Sequence, residues 1–117
     1  VRMRLPLLAA MLAMGFLMVA PAQAVSVYEF VSFCKAETLS RCFNLIGNRL
    51  DRLRAVEQGR AFCLPRVWGA TMVTSESYPV SVLEHVRLAL SAARFGKAER
   101  PVEEQMKTII AEVYPCR

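Results

Sequence analysis

The chain predicts an all-α fold, a small bundle of about four helices stapled by two disulfides. Three observations carry this. Apolar residues recur at helical spacing behind side chains that cap helices; glycine or proline punctuates the periodic segments; and four cysteines sit downstream of an export-type leader.

The leader comes first. Arg2 and Arg4 give a positive start, Leu5 to Val19 form an apolar run interrupted only by Pro6 and Gly15, and Ala22-Gln23-Ala24 has the small-x-small form of a cleavage site. We read residues 1–24 as a Sec-type signal peptide cleaved after Ala24. A membrane anchor is the rival reading, but a spanning helix needs about 20 apolar residues in a row, and Pro6, Gly15 and Pro21 crowd this stretch. No stable membrane insertion is expected after cleavage. Val1 reads as a GTG start codon rendered literally, which predicts a bacterial chain bound for the periplasm. One domain of 93 residues, 25–117, would remain. A chain of that length buries only somewhat more than ~60% of its unfolded surface, so crosslinks matter. With Arg2 and Arg4 removed, 13 basic residues face 10 acidic ones, a net +3 without a cluster. That argues against a nucleic-acid partner.

Four helices follow from periodicity and caps. Ser26-Val27-Tyr28-Glu29 is a capping box, and Val27, Phe30, Val31 and Cys34 share one face of a helix over 27–37. Ser40 is the expected cap of a second helix, with Cys42, Ile46, Arg49 or Leu50, Leu53 and Val56 along its stripe, Arg52, Arg54 and Glu57 opposite, and Gly59 as its stop. From Arg60 to Pro79 the periodicity fails, and Pro65, Gly69, Thr71, Thr74, Ser75, Ser77 and Pro79 mark an irregular connection. Ser81-Val82-Leu83-Glu84 forms another capping box, Val82, Leu83, Val86, Leu90 and Ala93 the stripe of a third helix, and Gly96 its end. Pro101 suits the first turn of a fourth helix. Glu103 and Glu104 favour its positive end, Val102, Met106, Ile109, Ile110 and Val113 line one side, and Pro115 closes it.

Cys34, Cys42, Cys63 and Cys116 all follow the leader, and an even count in a short exported chain reads as a disulfide framework. Metal ligation or redox catalysis would require C-x-x-C pairs or several histidines, and the chain has no such pair and only His85. Three connectivities are open. Within one straight helix Cys34 and Cys42 would stand about 12 Å apart, against a limit near 7 Å, so their pairing requires a turn. Glu37-Thr38-Leu39-Ser40 can supply it, which favours Cys34 with Cys42 and Cys63 with Cys116.

No catalytic constellation emerges. His85 has no identifiable nucleophile, and no glycine-rich phosphate loop, nucleophile elbow or paired-carboxylate motif occurs. The chain is read as a non-enzyme without cofactor or metal. Its candidate contact residues lie in two loops: Arg66, Trp68 and Tyr78 in the first, Arg94, Phe95 and Lys97 in the second. Interface anchors are rich in Trp, Tyr and Arg, and binding residues favour loops on a rigid frame. Core packing is the competing role for Trp68 and Phe95.

Phe62-Cys63-Leu64-Pro65, the Val86 and Leu90 core, the terminal Val113-Tyr114-Pro115-Cys116 and the earlier Cys42-Phe43-Asn44-Leu45-Ile46-Gly47 together resemble the Tai and Rap type of type VI secretion immunity proteins. The resemblance spans most of residues 25–117. It implies a helical, disulfide-bonded periplasmic protein, often a homodimer, that binds a peptidoglycan amidase effector and blocks its active site. A small disulfide-linked helical chaperone of the periplasm is the alternative reading.

Overall fold

The computed structural model describes residues 24–65, 73–75 and 78–117. The first helix, α1 (Val27–Ala36), begins as its capping box predicts: Ser26 Oγ accepts from the Glu29 N–H at 3.1 Å. Val27, Phe30 and Val31 are buried. Glu37 then adopts extended backbone, and the chain reverses within Glu37 and Thr38 to enter α2 (Leu39–Glu57). Because the turn is that short, Thr38 rather than the expected Ser40 is the cap, its Oγ1 accepting from the Arg41 N–H at 3.3 Å. Ser40 falls inside the first turn.

Helix α2 is the central element and packs against α1, α3 and α4. Its buried face is Cys42, Phe43, Ile46, Gly47 and Leu50, with Leu53 packed at the margin. Val56, expected on this stripe, is 61% exposed. At 3.6 residues per turn it stands about 110° from the mean direction of the five buried residues, whereas Phe43 lies within their sector. Gln58 ends the helix and Gly59 follows with φ +81°, the left-handed conformation that favours glycine past a helix end. The Gln58 side chain then grips Leu64 at both backbone groups, accepting from its N–H and donating to its carbonyl, each at 3.0 Å. This turns Phe62 and Leu64 into the core.

The connection expected to be irregular contains a short antiparallel ribbon, β1 (Val73–Ser75) with β2 (Tyr78–Pro79), pairing Val73 with Pro79 and Ser75 with Tyr78 across a bulge. Strand β2 runs directly into α3 (Val80–Ala93). The helix therefore starts before Ser81, and its cap position is Pro79, which offers no side-chain bond. Glu84 does not complete a capping box; it accepts from Arg87 Nε at 2.7 Å. Val82, Leu83, Val86 and Leu90 are buried as their spacing predicts. A further turn over 94–96 continues the chain, and Gly96 has no positive φ.

Pro101 precedes α4 (Val102–Val113), where Val102, Gln105, Met106, Ile109 and Ile110 are buried. Val113, expected on that side, is 45% exposed, since it stands on the last turn beyond the packed face. Both ends of α4 are fastened. At its start the Val102 N–H donates to the Val25 carbonyl at 2.8 Å and the Val27 N–H to the Arg100 carbonyl at 2.9 Å. At its end the Cys63 N–H donates to the Tyr114 carbonyl at 2.8 Å, beside the Cys63–Cys116 disulfide.

Among the described residues, four helices with little strand make an all-α bundle carrying two disulfides, Cys34–Cys42 and Cys63–Cys116. Their Cα atoms stand 4.7 and 4.9 Å apart, inside the range a disulfide spans. Such crosslinks belong to oxidising compartments. Among the described residues no helix is long and apolar enough to cross a membrane. The leader expected over 1–24 lies outside the described residues except for Ala24.

Candidate partner-binding surface

The turn between α3 and α4 brings Arg94, Phe95 and Lys97 together. Helical geometry persists past Ala93, with the Arg94 N–H donating to the Leu90 carbonyl at 3.2 Å and the Lys97 N–H to the Ala93 carbonyl at 2.7 Å. The other side of the turn is tied to α1 by the Tyr28 N–H, which donates to the Ala98 carbonyl at 3.1 Å. A segment held at both ends thus presents Phe95, which is 81% exposed, the most exposed large apolar side chain among the described residues. The Arg94 guanidinium lies over its ring, 4.8 Å from the centroid. An exposed cation over an aromatic face is worth about 0.5–1 kcal/mol, enough to bias both side chains toward one arrangement.

Two further apolar groups extend this surface. Leu88, Ala92 and Phe95 stand at i, i+4 and i+7, so they share a face of α3 and its continuation, and all three are exposed. Tyr28, 59% exposed, adjoins the turn through its bond to Ala98. Leu88 sits off the Val82, Leu83, Val86, Leu90 stripe, and that offset is readable in the sequence; Tyr28 gives no such signal, because only the Ala98 bond brings it to the turn.

The first expected contact loop fares differently. Arg66 and Trp68 lie outside the described residues. Tyr78, expected as a contact, is completely buried, and its hydroxyl donates to Asp51 Oδ1 at 2.8 Å. Its position in β2, directly ahead of α3, turns the ring inward to roof the core. Burial, reinforced by the Asp51 hydrogen bond, pushes its phenol well above the ordinary tyrosine value. Tyr78 is therefore a core residue.

Other polar side chains form ion pairs and hydrogen bonds at the surface. Arg49 bonds Glu103 at 3.0 Å and lies 5.3 Å from the centroid of the Phe30 ring, linking α1, α2 and α4. Lys107 stands 3.6 Å from Glu57 and 3.4 Å from Glu104. The hydrogen bond from Arg87 holds the Glu84 carboxyl below the usual glutamate range. Among the described residues no three His, Cys, Asp or Glu side chains come together in a way that would hold a metal ion. Comparison with family models, with curated proteins and with solved structures gives no match.

Proposed function

We propose that the chain is a periplasmic immunity protein that binds and inhibits a peptidoglycan amidase effector of type VI secretion. The observation that carries this reading is the 94–97 turn. An inhibitor needs a pre-organised projection rather than reacting groups, because ordering a loop on binding costs about 0.5–1.5 kcal/mol per immobilised side chain. Here Phe95 and its stacked Arg94 project from a turn already fastened to α1 and to the end of α3. Support also comes from the residues of the family resemblance: Phe62-Cys63-Leu64-Pro65 and Tyr114-Pro115-Cys116 meet in one knot, through the Cys63–Cys116 disulfide and the Cys63-to-Tyr114 backbone bond.

The test is to add the exported, purified protein to the amidase encoded beside its gene and follow peptidoglycan hydrolysis. Inhibition by the natural chain, weakened by about 2 kcal/mol in Phe95→Ala with an unchanged melting temperature, is the expected result for an exposed anchor. Absence of both binding and inhibition rejects the reading for that effector. Loss of inhibition accompanied by a lowered melting temperature would instead assign Phe95 to the scaffold.

A further inference from the structure

The turn between α3 and α4 carries charge that the fold does not use. Arg94, Lys97 and Arg100 follow one another at intervals of three residues, and Glu99 is the one acid within 94–100, so three cations less one carboxylate leave this short segment with two net positive charges. On the helices, Arg41, Arg49, Arg52, Arg87 and Lys107 each pair with a glutamate. Among the described residues none of the three cations of the turn makes an ion pair. Arg94 stacks on Phe95, and Arg100 donates to the neutral Gln105 side chain at 3.2 Å. Like charges one helical turn apart repel each other, so the cluster opposes the fold slightly and gains no counter-charge within it.

These cations surround the most exposed large apolar side chain among the described residues, Phe95, whose face is extended by Leu88 and Ala92. An aromatic anchor with charge around it is the layout of a protein interface, apolar at its centre and polar at its rim. Rim charges are matched by opposite charge on the partner, which speeds encounter and disfavours wrong partners. A lipid surface fits less well. Segments that hold anionic membranes by charge gather about four to eight Lys or Arg, whereas this turn has three cations with Glu99 among them.

We infer that the surface receiving this turn is an acidic protein face, an apolar slot for Phe95 rimmed by carboxylates that meet Lys97 and Arg100. The inference rests on the immunity reading for its partner, the amidase, and adds the chemistry of the receiving cleft. Phe95 then sets how long the complex lasts, and the cations set how fast it forms.

The test measures association and dissociation rates of protein exported from the full-length gene with the amidase encoded beside it, by stopped flow at about 20 and about 300 mM salt, where screening shortens from about 20 to about 6 Å. The association rate should fall at least about fivefold at the higher salt. At low salt Lys97→Glu should lower it about tenfold and Lys97→Gln by an intermediate factor, with dissociation rates within about twofold of the natural chain and convergence at high salt. Lys97→Arg should match the natural chain. Since the Lys97 side chain is exposed, melting temperatures should stay unchanged in all three. Phe95→Ala should instead raise the dissociation rate and leave association nearly unchanged. Association that ignores salt, a salt dependence that Lys97→Glu leaves intact, or acceleration by Lys97→Glu would overturn the acidic face while the immunity reading stands. No binding of the amidase removes that reading, and this inference with it. Sedimentation with phosphatidylcholine vesicles containing phosphatidylglycerol completes the test: no binding is expected, and binding lost in both Phe95→Ala and Lys97→Glu would assign the turn to a lipid surface and overturn the inference.

Discussion

Glycine is useful here at one position and incidental at another. Gly59 has φ +81°, and no atom lies within 4 Å of where an added methyl group would stand, so Gly59→Ala would meet no clash and carry only the left-handed backbone strain, about 1–2 kcal/mol. Gly96 has neither positive φ nor a close neighbour, so Gly96→Ala should leave the unfolding free energy within about 0.5 kcal/mol of the natural chain. Chemical denaturation of the two variants checks the contrast. Both glycines follow a helix in the sequence, and both read as stops; only the backbone at each reveals that Gly59 alone is required. Tyr78 makes the same point for polar aromatics. Its chain position, among serines, a glutamate and a proline, suggests an exposed contact, whereas the long-range bond to Asp51 that makes it core joins residues 27 apart. A pH dependence follows. The folded phenol titrates above its unfolded value of about 10, so the unfolded chain loses its proton first. Stability from this group is fully present below pH ~10 and declines as pH rises toward the folded value. Alkaline denaturation followed from about pH 8 to 12 should therefore steepen above about pH 10 in the natural chain, and Tyr78→Phe should flatten that limb. Equal slopes in the two proteins would remove Tyr78 as the cause.

At the scale of the helices, the apolar stripes are legible in the sequence and the starts only partly so. The spacing of Val27, Phe30 and Val31, and of Val82, Leu83, Val86 and Leu90, identifies faces that are indeed buried, because period 3.6 is a property of the chain itself. Caps depend also on how the preceding residues enter. Ser26 has extended backbone and is bridged to Pro101, and its hydroxyl reaches the Glu29 N–H; Ser81 follows a strand that becomes helix at Val80 with Pro79 at the cap, so the same tetrapeptide pattern lies two residues too late. The two boxes should respond differently. Ser26→Ala is expected to cost about 1 kcal/mol of unfolding free energy, and Ser81→Ala less than about 0.5. Thermal or urea unfolding of the pair measures this directly, and comparable losses would mean that Ser81 caps α3 in solution. The candidate surface divides along the same line. The sequence marks the turn with Arg94, Phe95 and Lys97 but leaves contact and core both open for Phe95, and only its 81% exposure places the ring on the surface. Tyr28 joins this surface through a backbone bond between elements distant in sequence, which periodicity does not encode.

Across the whole molecule, the two disulfides act on loops of very different length. Cys34–Cys42 closes a sequence separation of 8 across the α1–α2 turn, and Cys63–Cys116 closes one of 53 that contains β1, β2, α3 and α4. In the loop-entropy model the short bridge restricts the unfolded chain by about 2.5 kcal/mol and the long one by about 4 kcal/mol. Native contacts act in the same direction. Removing the long bridge leaves the last residues held by the Cys63-to-Tyr114 hydrogen bond and by the partly buried Tyr114 ring, while the short bridge is backed by the buried faces of both α1 and α2. Paired replacements avoid stray thiols: Cys34→Ala with Cys42→Ala, and Cys63→Ala with Cys116→Ala. The second pair should lose about 1.5 kcal/mol more than the first in equilibrium denaturation. Burial of the sulfurs acts the other way, since Cys42 is only 2% exposed and its truncation leaves a small void, whereas Cys116 is exposed. A deleted buried sulfur costs on the order of 1 kcal/mol, so the gap narrows but should not invert. A larger loss in the Cys34/Cys42 pair would mean that core packing around α1 and α2, rather than restriction of the unfolded chain, sets the stability of this fold.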